Sequence, residues 1–323
     1  MLIWGDTLLV VIAALAFDAV IGDPDWLWRR LPHPVTWFGA LIALLDRLLN
    51  RDAWPPLLRR IAGIATIAVL VAIASIAGFF LTEITRYVTG GNVILALVAS
   101  VFIAQRSLYQ HVSRVRMAFA SDGLTGARVA VSMIVGRDPD QLDEAAVSRA
   151  AIESAAENFS DGIVAPVFWL ALLGLPGLLA YKAINTADSM IGHRSERYRW
   201  FGWAAARLDD LVNLVPARLS GPLIAVVAPI ANGSVGTSFR VMIRDAARHR
   251  SPNAGWPESA MAGALGIALA GPRRYAEGLV NDPFLNAGAR EAATPDDIGR
   301  ALKLFVAACL LQAAIYAALA LLL

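Results

Sequence analysis

Glu153, Glu157 and Asp161 stand at i, i+4 and i+8 within the stretch Arg149–Gly162. On a helix that spacing lines three carboxylates along one face. The residues between them are mostly Ala, Ile and Ser, and no Lys or Arg follows any of the three at four residues. Like charges so placed repel by about 0.2–0.5 kcal/mol per pair unless a cation offsets them. Hard carboxylate oxygens suit Mg²⁺, which is commonly shared with a phosphate. The competing reading is a polar helix end that simply faces water.

Two further stretches add weight to the metal–phosphate reading. Asn185-Thr-Ala-Asp188-Ser189-Met and Arg207-Leu-Asp209-Asp210-Leu-Val-Asn213 set acids and amides among apolar residues. There an uncompensated charge costs several kcal/mol and usually marks function. Asp209 and Asn213 are four apart, as are Asn185 and Ser189, so each pair shares a helix face. Alone, each stretch is equally a helix cap or a buried polar network. Arg106, Arg137, Arg207 and Arg218 are candidates to fork onto a phosphate, although topology anchoring would also account for any single one of them. The four histidines are scattered without metal-ligand spacing. No Gly-x-x-x-x-Gly-Lys-Ser/Thr or Gly-x-Gly-x-x-Gly occurs, so a nucleotide would be held in a non-standard way. In Ser251-Pro-Asn253-Ala-Gly-Trp-Pro-Glu258, Pro257-Glu258 reads as the first turn of a helix. Ser259, Ala262, Gly263 and Gly266 would then let that helix be approached closely.

These residues must be positioned by a very apolar chain. Of 323 residues, 57% are apolar and 17% charged, and the net charge is +2. That composition predicts an all-α, polytopic integral membrane protein. Lys occurs only at 182 and 303, and no basic run interleaves with aromatics, which argues against a nucleic-acid partner. A lone Cys309 excludes a disulfide framework, and the N-terminus lacks the positive region of a secretory signal. Spans are expected near 2–21, 61–82, 92–105 and 304–323, with an interfacial helix over 35–50. The apolar segments near 163–180 and 211–233 are interrupted by Gly174, Pro176, Gly177, Pro216, Gly221, Pro222 and Pro229. We read them as broken or re-entrant helices lining a cavity. The excess of Arg in 23–60 and 105–160 places those loops in the cytoplasm, so the active-site cavity is expected to face that side. The whole chain, 1–323, reads as a single membrane-embedded domain.

The ordered set Gly22-Asp-Pro, His33-Pro-Val, Arg106-Ser-Leu-x-x-His111, Ile134-Val-Gly-Arg137-Asp, Glu153-Ser-x-x-Glu157-Asn-x-x-Asp161-Gly, Asn185-Thr-x-Asp188-Ser-Met, Arg207-Leu-Asp-Asp210-x-x-Asn213 and Ser251-Pro-Asn-Ala-Gly-Trp-Pro-Glu258 resembles the CobD/CbiB family. That family comprises the adenosylcobinamide-phosphate synthases of cobalamin biosynthesis. The likeness covers essentially the whole chain; Ala187, where Leu is expected, is a small departure. The resemblance implies a multi-pass enzyme of the bacterial inner membrane that joins (R)-1-amino-2-propanol, as its O-phosphate, to the free propionate of adenosylcobyric acid. ATP and Mg²⁺ would be its cofactors and an acyl phosphate its intermediate. Glu153, Glu157, Asp161, Asp188 and Asp209 are then expected at the metal. Glu153, Glu157, Asp210 and Glu258 are expected to be catalytic. Arg106, His111, Arg137, Asn158, Asn185, Ser189, Arg207, Asn213, Arg218 and Asn253 are expected to contact nucleotide or phosphate. Besides the corrinoid and the lipid bilayer, the resemblance admits later membrane enzymes of cobalamin assembly and a second copy of the chain as partners. Two other classes fit the acids less well: an intramembrane Mg-diphosphate prenyltransferase, which would repeat an Asp pair in two halves, and a non-catalytic membrane scaffold, which would have lost the acidic motifs.

Overall fold

The computed structural model describes residues 4–135, 141–275 and 278–323. Among the described residues, thirteen α-helices and one strand pair follow in chain order: α1 Trp4–Val20, α2 Asp25–Trp28, α3 Pro34–Leu49, α4 Pro56–Arg86, α5 Gly91–Ser100, α6 Gln105–Ser132, α7 Glu144–Phe159, α8 Ala165–Ile191, α9 Trp203–Val212, α10 Leu214–Val226, α11 Val235–Asp245, α12 Gly255–Leu265, β1 Leu269–Tyr275, β2 Gly278–Leu285 and α13 Pro295–Leu322. Four of the described helical runs are long and apolar enough to cross a membrane: Pro56–Arg86, Gly91–Ser132, Glu144–Ile191 and Pro295–Leu322. They coincide with the apolar runs expected at 61–82, 92–105, 163–180 and 304–323, but each extends well past its apolar core. Capping explains part of this. At the start of α13, Asp297 accepts from the Thr294 N–H (2.9 Å) and its hydroxyl (3.0 Å), which starts the helix nine residues before 304. The N-terminal run is the 17-residue α1. A helix is found where one was expected over 35–50: α3, opened by Pro34 and by His33 accepting from the Val35 N–H at 3.2 Å.

The interruptions fall where the sequence puts its breakers. Between α7 and α8 the chain makes a π-helical turn, Ser160–Val164. Pro166 has no N–H to offer the carbonyl of Gly162, so the regular i to i−4 ladder lapses there. Further along, α8 breaks at Gly174, whose φ of 67° is open to glycine at little cost, just ahead of Pro176. The second interrupted segment is α10 with Pro222 inside it, followed by a short 3₁₀ turn Ala228–Ala231.

The chain divides into two compact units. Unit one comprises Met1–Ala104, Ala165–Asn213 and Tyr316–Leu323; unit two comprises Gln105–Val164 and Leu214–Ile315. The core of unit one gathers Ile42 of α3, Ile67 and Leu70 of α4, Ala187 and Ile191 of α8, and Phe201 and Ala205 beside and within α9. Beside it runs a polar network. Asp46 binds Arg197 (2.7 Å) and Asn50 (2.8 Å), while Arg59 donates to Asn50 (2.9 Å) and to the Arg197 carbonyl. A pair of charges taken out of water needs such saturation.

Unit two is built on α12, whose residues Pro257–Leu265 are all buried. The close packing foreseen for this small-residue helix is realised: Ser238 of α11 donates to the Ala260 carbonyl at 2.7 Å. The all-α expectation needs one correction. β1 and β2 form an antiparallel pair with Leu269 opposite Leu285 and an irregularity between Ala270 and Pro272. Pro272 and Pro283 make this segment read as loop, but a two-stranded ribbon has outer edges on which proline is tolerated.

Asp245, buried at the end of α11, accepts from Arg244 (2.8 and 2.6 Å) and from the Asn286 N–H (2.8 Å). These bonds, Arg244's first, hold its carboxyl below the ordinary carboxylate value. A depressed pKa contributes stability above the unfolded value that is lost as pH falls through the folded one. Wild-type protein is therefore expected to lose unfolding stability as pH drops below about 4. Asp245→Asn should be less stable at neutral pH and show a flatter acid limb. Parallel acid limbs for the two proteins in a tryptophan-fluorescence titration would contradict this.

Candidate active site

In unit one the last turns of α8 carry Tyr181, Asn185 and Asp188 at i, i+4 and i+7, one helix face. The facing helix α9 ends with Asp209, Asp210 and the capping residue Asn213. Asp209 is buried and accepts from the Asn185 amide at 3.3 Å and the Asn213 amide at 3.0 Å. Asn213 also donates to the Asp209 carbonyl (3.1 Å), and its own oxygen accepts from the Tyr181 hydroxyl at 3.0 Å. The amide groups thus point their N–H ends at one carboxylate, and Asn213 is itself fixed by a buried tyrosine. Asp188 and Asp210 both act on Asp209 electrostatically. Burial, reinforced by the charge of Asp188, pushes the Asp209 carboxyl up to about 7 against the pull of the two amides. Arg207 pairs with Asp210 at 3.4 Å.

Asp188 owes its placement to Gly192. The Gly192 N–H donates to the Asp188 carbonyl at 2.8 Å, and a Cβ on Gly192 would collide with Asp188 Oδ1. Ser189, in contrast, is exposed and donates back to the Asn185 carbonyl at 3.0 Å. Of the residues expected from the sequence, then, Asn185, Asp188, Asp209, Asp210, Arg207 and Asn213 come together, and Ser189 points away. Tyr181 is the member that residue types alone did not single out. It lies at i−4 from Asn185, and that spacing was the available signal.

In unit two the acid stripe of α7 is divided. Glu153 is buried and accepts from the Ala270 N–H at 2.8 Å, holding a residue at the left-handed φ of 59°. Glu157 and Asn158 are exposed, and Asn158 donates to the Ser154 carbonyl (2.9 Å) and hydroxyl (3.2 Å) of its own helix. Asp161 is half-buried within the π turn, where the wider winding takes it off the α-helical i+8 position. The expected single face of three carboxylates is therefore not kept. On α6, Arg106 is exposed and His111 Nδ1 lies 2.7 Å from the Ser107 carbonyl.

The loop before α12 forms a second cluster. Ser251 Oγ accepts from the Asn253 and Ala254 N–H groups, each at 3.2 Å, and His249 Nδ1 accepts from the Ser251 N–H at 3.0 Å. With Nδ1 an acceptor, neutral His249 carries its proton on Nε2, 3.5 Å from Oε1 of buried Glu258. Glu258 lies in the first turn of α12 as expected. His249 was not foreseen as its partner, because a folded loop separates them in the chain. Arg218 donates to the Leu214 carbonyl (2.8 Å) and stacks 4.8 Å from the Trp256 ring. Asn253 is buried in the same loop. Arg137 lies outside the described residues.

Among the described residues no three His, Cys, Asp or Glu side chains gather closely enough to hold a metal ion by themselves. That arrangement still fits Mg²⁺, which is usually bound by one or two carboxylates with substrate phosphate and water completing its shell. Asp188 and Asp209 offer hard oxygens, and the Asp209 carboxylate, disfavoured first by burial and then by the charge of Asp188, is one that a cation would stabilise.

A family model described as "CobD/Cbib protein" matches residues 11–305. A "Cobalamin biosynthesis protein CobD" of Rhizobium meliloti (strain 1021) is 52% identical over 319 residues, covering 98% of each chain. The protein of the same description from Sinorhizobium fredii is 53% identical over 316 residues (97% of each), and that of Brucella suis 50% over 301 residues (92% of each). No solved structure matches the chain.

Proposed function

The chain belongs to the CobD/CbiB family, whose members are cobalamin biosynthesis proteins, and from that premise we propose that it is an ATP-dependent amide ligase of the bacterial inner membrane. Its substrates would be adenosylcobyric acid and an aminopropanol phosphate. The observation that carries this reading is the buried Asp209, held by Asn185 and Asn213 beside Asp188 and Asp210. A carboxylate does not condense with an amine unaided. In the proposed reaction an oxygen of the corrin propionate attacks the γ-phosphorus of ATP, and ADP departs with the bonding pair. The neutral amine nitrogen then attacks the acyl carbon, phosphate leaves with the C–O electrons, and the nitrogen gives up one proton, keeping the other as the amide N–H.

Mg²⁺, when bound, would neutralise phosphate oxygens during transfer, and Asp188 and Asp209 are the residues assigned to hold it. Arg207, tethered by Asp210, offers its remaining N–H groups to a phosphate, and Arg218 and Arg106 are assigned the same task. Glu258, its carboxylate aligned by His249, is the proposed proton acceptor for the amine. The break of α8 at Gly174, and the early end of the Pro222-containing α10 at Val226 ahead of a 3₁₀ turn, support a reading in which both segments return to the cytoplasmic side.

The test is single-turnover amide formation by protein in nanodiscs, with adenosylcobyric acid, aminopropanol phosphate and Mg-ATP. Product is expected from wild type with ATP and not with a non-hydrolysable analogue. Glu258→Gln is expected to slow the step by about 10²–10⁴-fold. Product formed equally without nucleotide, or no corrin product from folded wild type, would sink the ligase reading.

A further inference from the structure

Within unit one, α4 and α9 leave a groove of about 430 Å³ between them. Ile64, Ala68 and Val71 form one wall and Trp203, Leu208 and Leu211 the other; Arg207 is the charged side chain among the described residues of the lining. A nucleotide or peptide would find almost no hydrogen-bond partner there. A hydrocarbon chain would lose none. The groove is open where α4 is long and apolar enough to cross a membrane: Ile64 is 48% exposed and Leu211 61%. From Ile64 to Val71 the helix rises about 10 Å, room for a good part of one acyl chain.

One end of the groove is basic. Arg60, one turn before Ile64 on the same face of α4, lies 4.7 Å from the Trp203 ring and 5.4 Å from Trp200. Arg199 lies 5.2 Å from the Trp200 ring. The rings hold these guanidinium groups by their faces, which leaves N–H edges to meet an anion. Among the described residues neither arginine is ion-paired, while their neighbour Arg59 is paired with Asp52. Tryptophan and arginine together at the end of a membrane-crossing helix form the usual depth marker of the headgroup layer.

We propose that this groove is a binding site for one anionic phospholipid, with an acyl chain between α4 and α9 and the headgroup phosphate on Arg60 and Arg199. The occupant is argued from charge complementarity at the mouth and hydrocarbon character along the floor; zwitterionic lipid satisfies only the second. Because α9 forms one wall and also carries Asp209 and Asp210, the bound lipid braces the helix that presents those acids.

The experiment is native mass spectrometry and thermal unfolding of full-length, delipidated protein in neutral detergent. Dioleoylphosphatidylglycerol, dioleoylphosphatidylcholine and glycerol 3-phosphate would be titrated separately. One equivalent of phosphatidylglycerol should be retained and raise the unfolding temperature, with phosphatidylcholine bound more weakly. Arg60→Gln should weaken phosphatidylglycerol binding about fivefold and leave phosphatidylcholine unchanged. Ala68→Trp, which fills the groove from its exposed wall, should abolish retention of both. Should Ala68→Trp fail to fold, Arg60→Gln decides alone. Equal retention of the two lipids, wild-type binding by both variants, or equal protection by glycerol 3-phosphate, which marks an anion site without a lipid chain, would each overturn the proposal.

Discussion

Asp209→Asn is expected to lower ATP-dependent amide formation by about 10²–10³-fold, a loss of the size seen when one preorganised charged group is taken from a water-poor site. The change is nearly isosteric, yet its electrical effect is large. Wild-type Asp209, raised to about 7 by burial and by Asp188, is partly ionised near neutrality. The sign of its stability effect follows. A carboxyl whose folded pKa lies above its unfolded value stabilises the fold fully below about 4 and loses that contribution as pH climbs to about 7. At pH 8 the penalty for keeping the charge is on the order of 4 kcal/mol. The substituted amide would escape that penalty, but one of the amides of Asn185 and Asn213 would then face a donor instead of an acceptor, costing about 1–3 kcal/mol.

The variant should therefore be more sensitive than wild type at pH 5, where the lost hydrogen bond dominates, and should regain ground by pH 8. Magnesium gives a readout independent of turnover. Added to wild type without substrate, it should raise the unfolding temperature more at pH 8 than at pH 5, and Asp209→Asn should lose that response. Equal magnesium shifts in both proteins would remove Asp209 from the metal site.

The second large effect comes from a residue with no functional group at all. Gly192→Ala is expected to depress activity about as strongly as Asp188→Asn, on the order of 10²-fold. The new methyl would need the space now filled by Asp188 Oδ1, so the carboxylate must swing away or the chain after α8 must shift. The same methyl would stand 2.6 Å from the Asp188 carbonyl oxygen, so rotation of the side chain alone does not clear it, and the Gly192 N–H bond to that carbonyl is disturbed as well. A double-mutant cycle separates the outcomes. If Gly192 acts by placing Asp188, the pair Gly192→Ala, Asp188→Asn should be no worse than either alone. Additive losses would show that Gly192 serves the backbone and not the acid.

Gly192 also marks how far the residues could be read unaided. The clustering of the acids and amides of 185–213 was legible, because such groups in apolar surroundings need partners. The cooperation of Tyr181 with Asn213, and the room that Gly192 leaves, depend on how α8 faces α9, and no spacing rule carries that. The α7 stripe misled for a definite reason. The periodicity assumed an unbroken α-helix, while Pro166 imposes a π turn from Ser160 and Glu153 turns inward to hold Ala270. His249 and Glu258 are close only because the serine-bonded loop between them folds back. The long apolar runs were plain, since hydropathy needs no tertiary context. The strand pair was hidden by its own prolines.

The division of the chain bears on its biogenesis. Unit one takes in residues 1–104 but also needs 165–213 and the stretch 316–323, and unit two joins 105–164 to 214–315. Neither can be finished while the ribosome is still midway through the sequence. Arg300 of α13, which donates to the carbonyls of Ala231 (2.9 Å) and Leu265 (3.0 Å), is among the final anchors to emerge. Domains usually consolidate in order of synthesis. Here the early helices must wait in the bilayer, half-assembled, until α13 arrives, so the chain's exposure to quality-control proteases is set by how promptly that helix is translated.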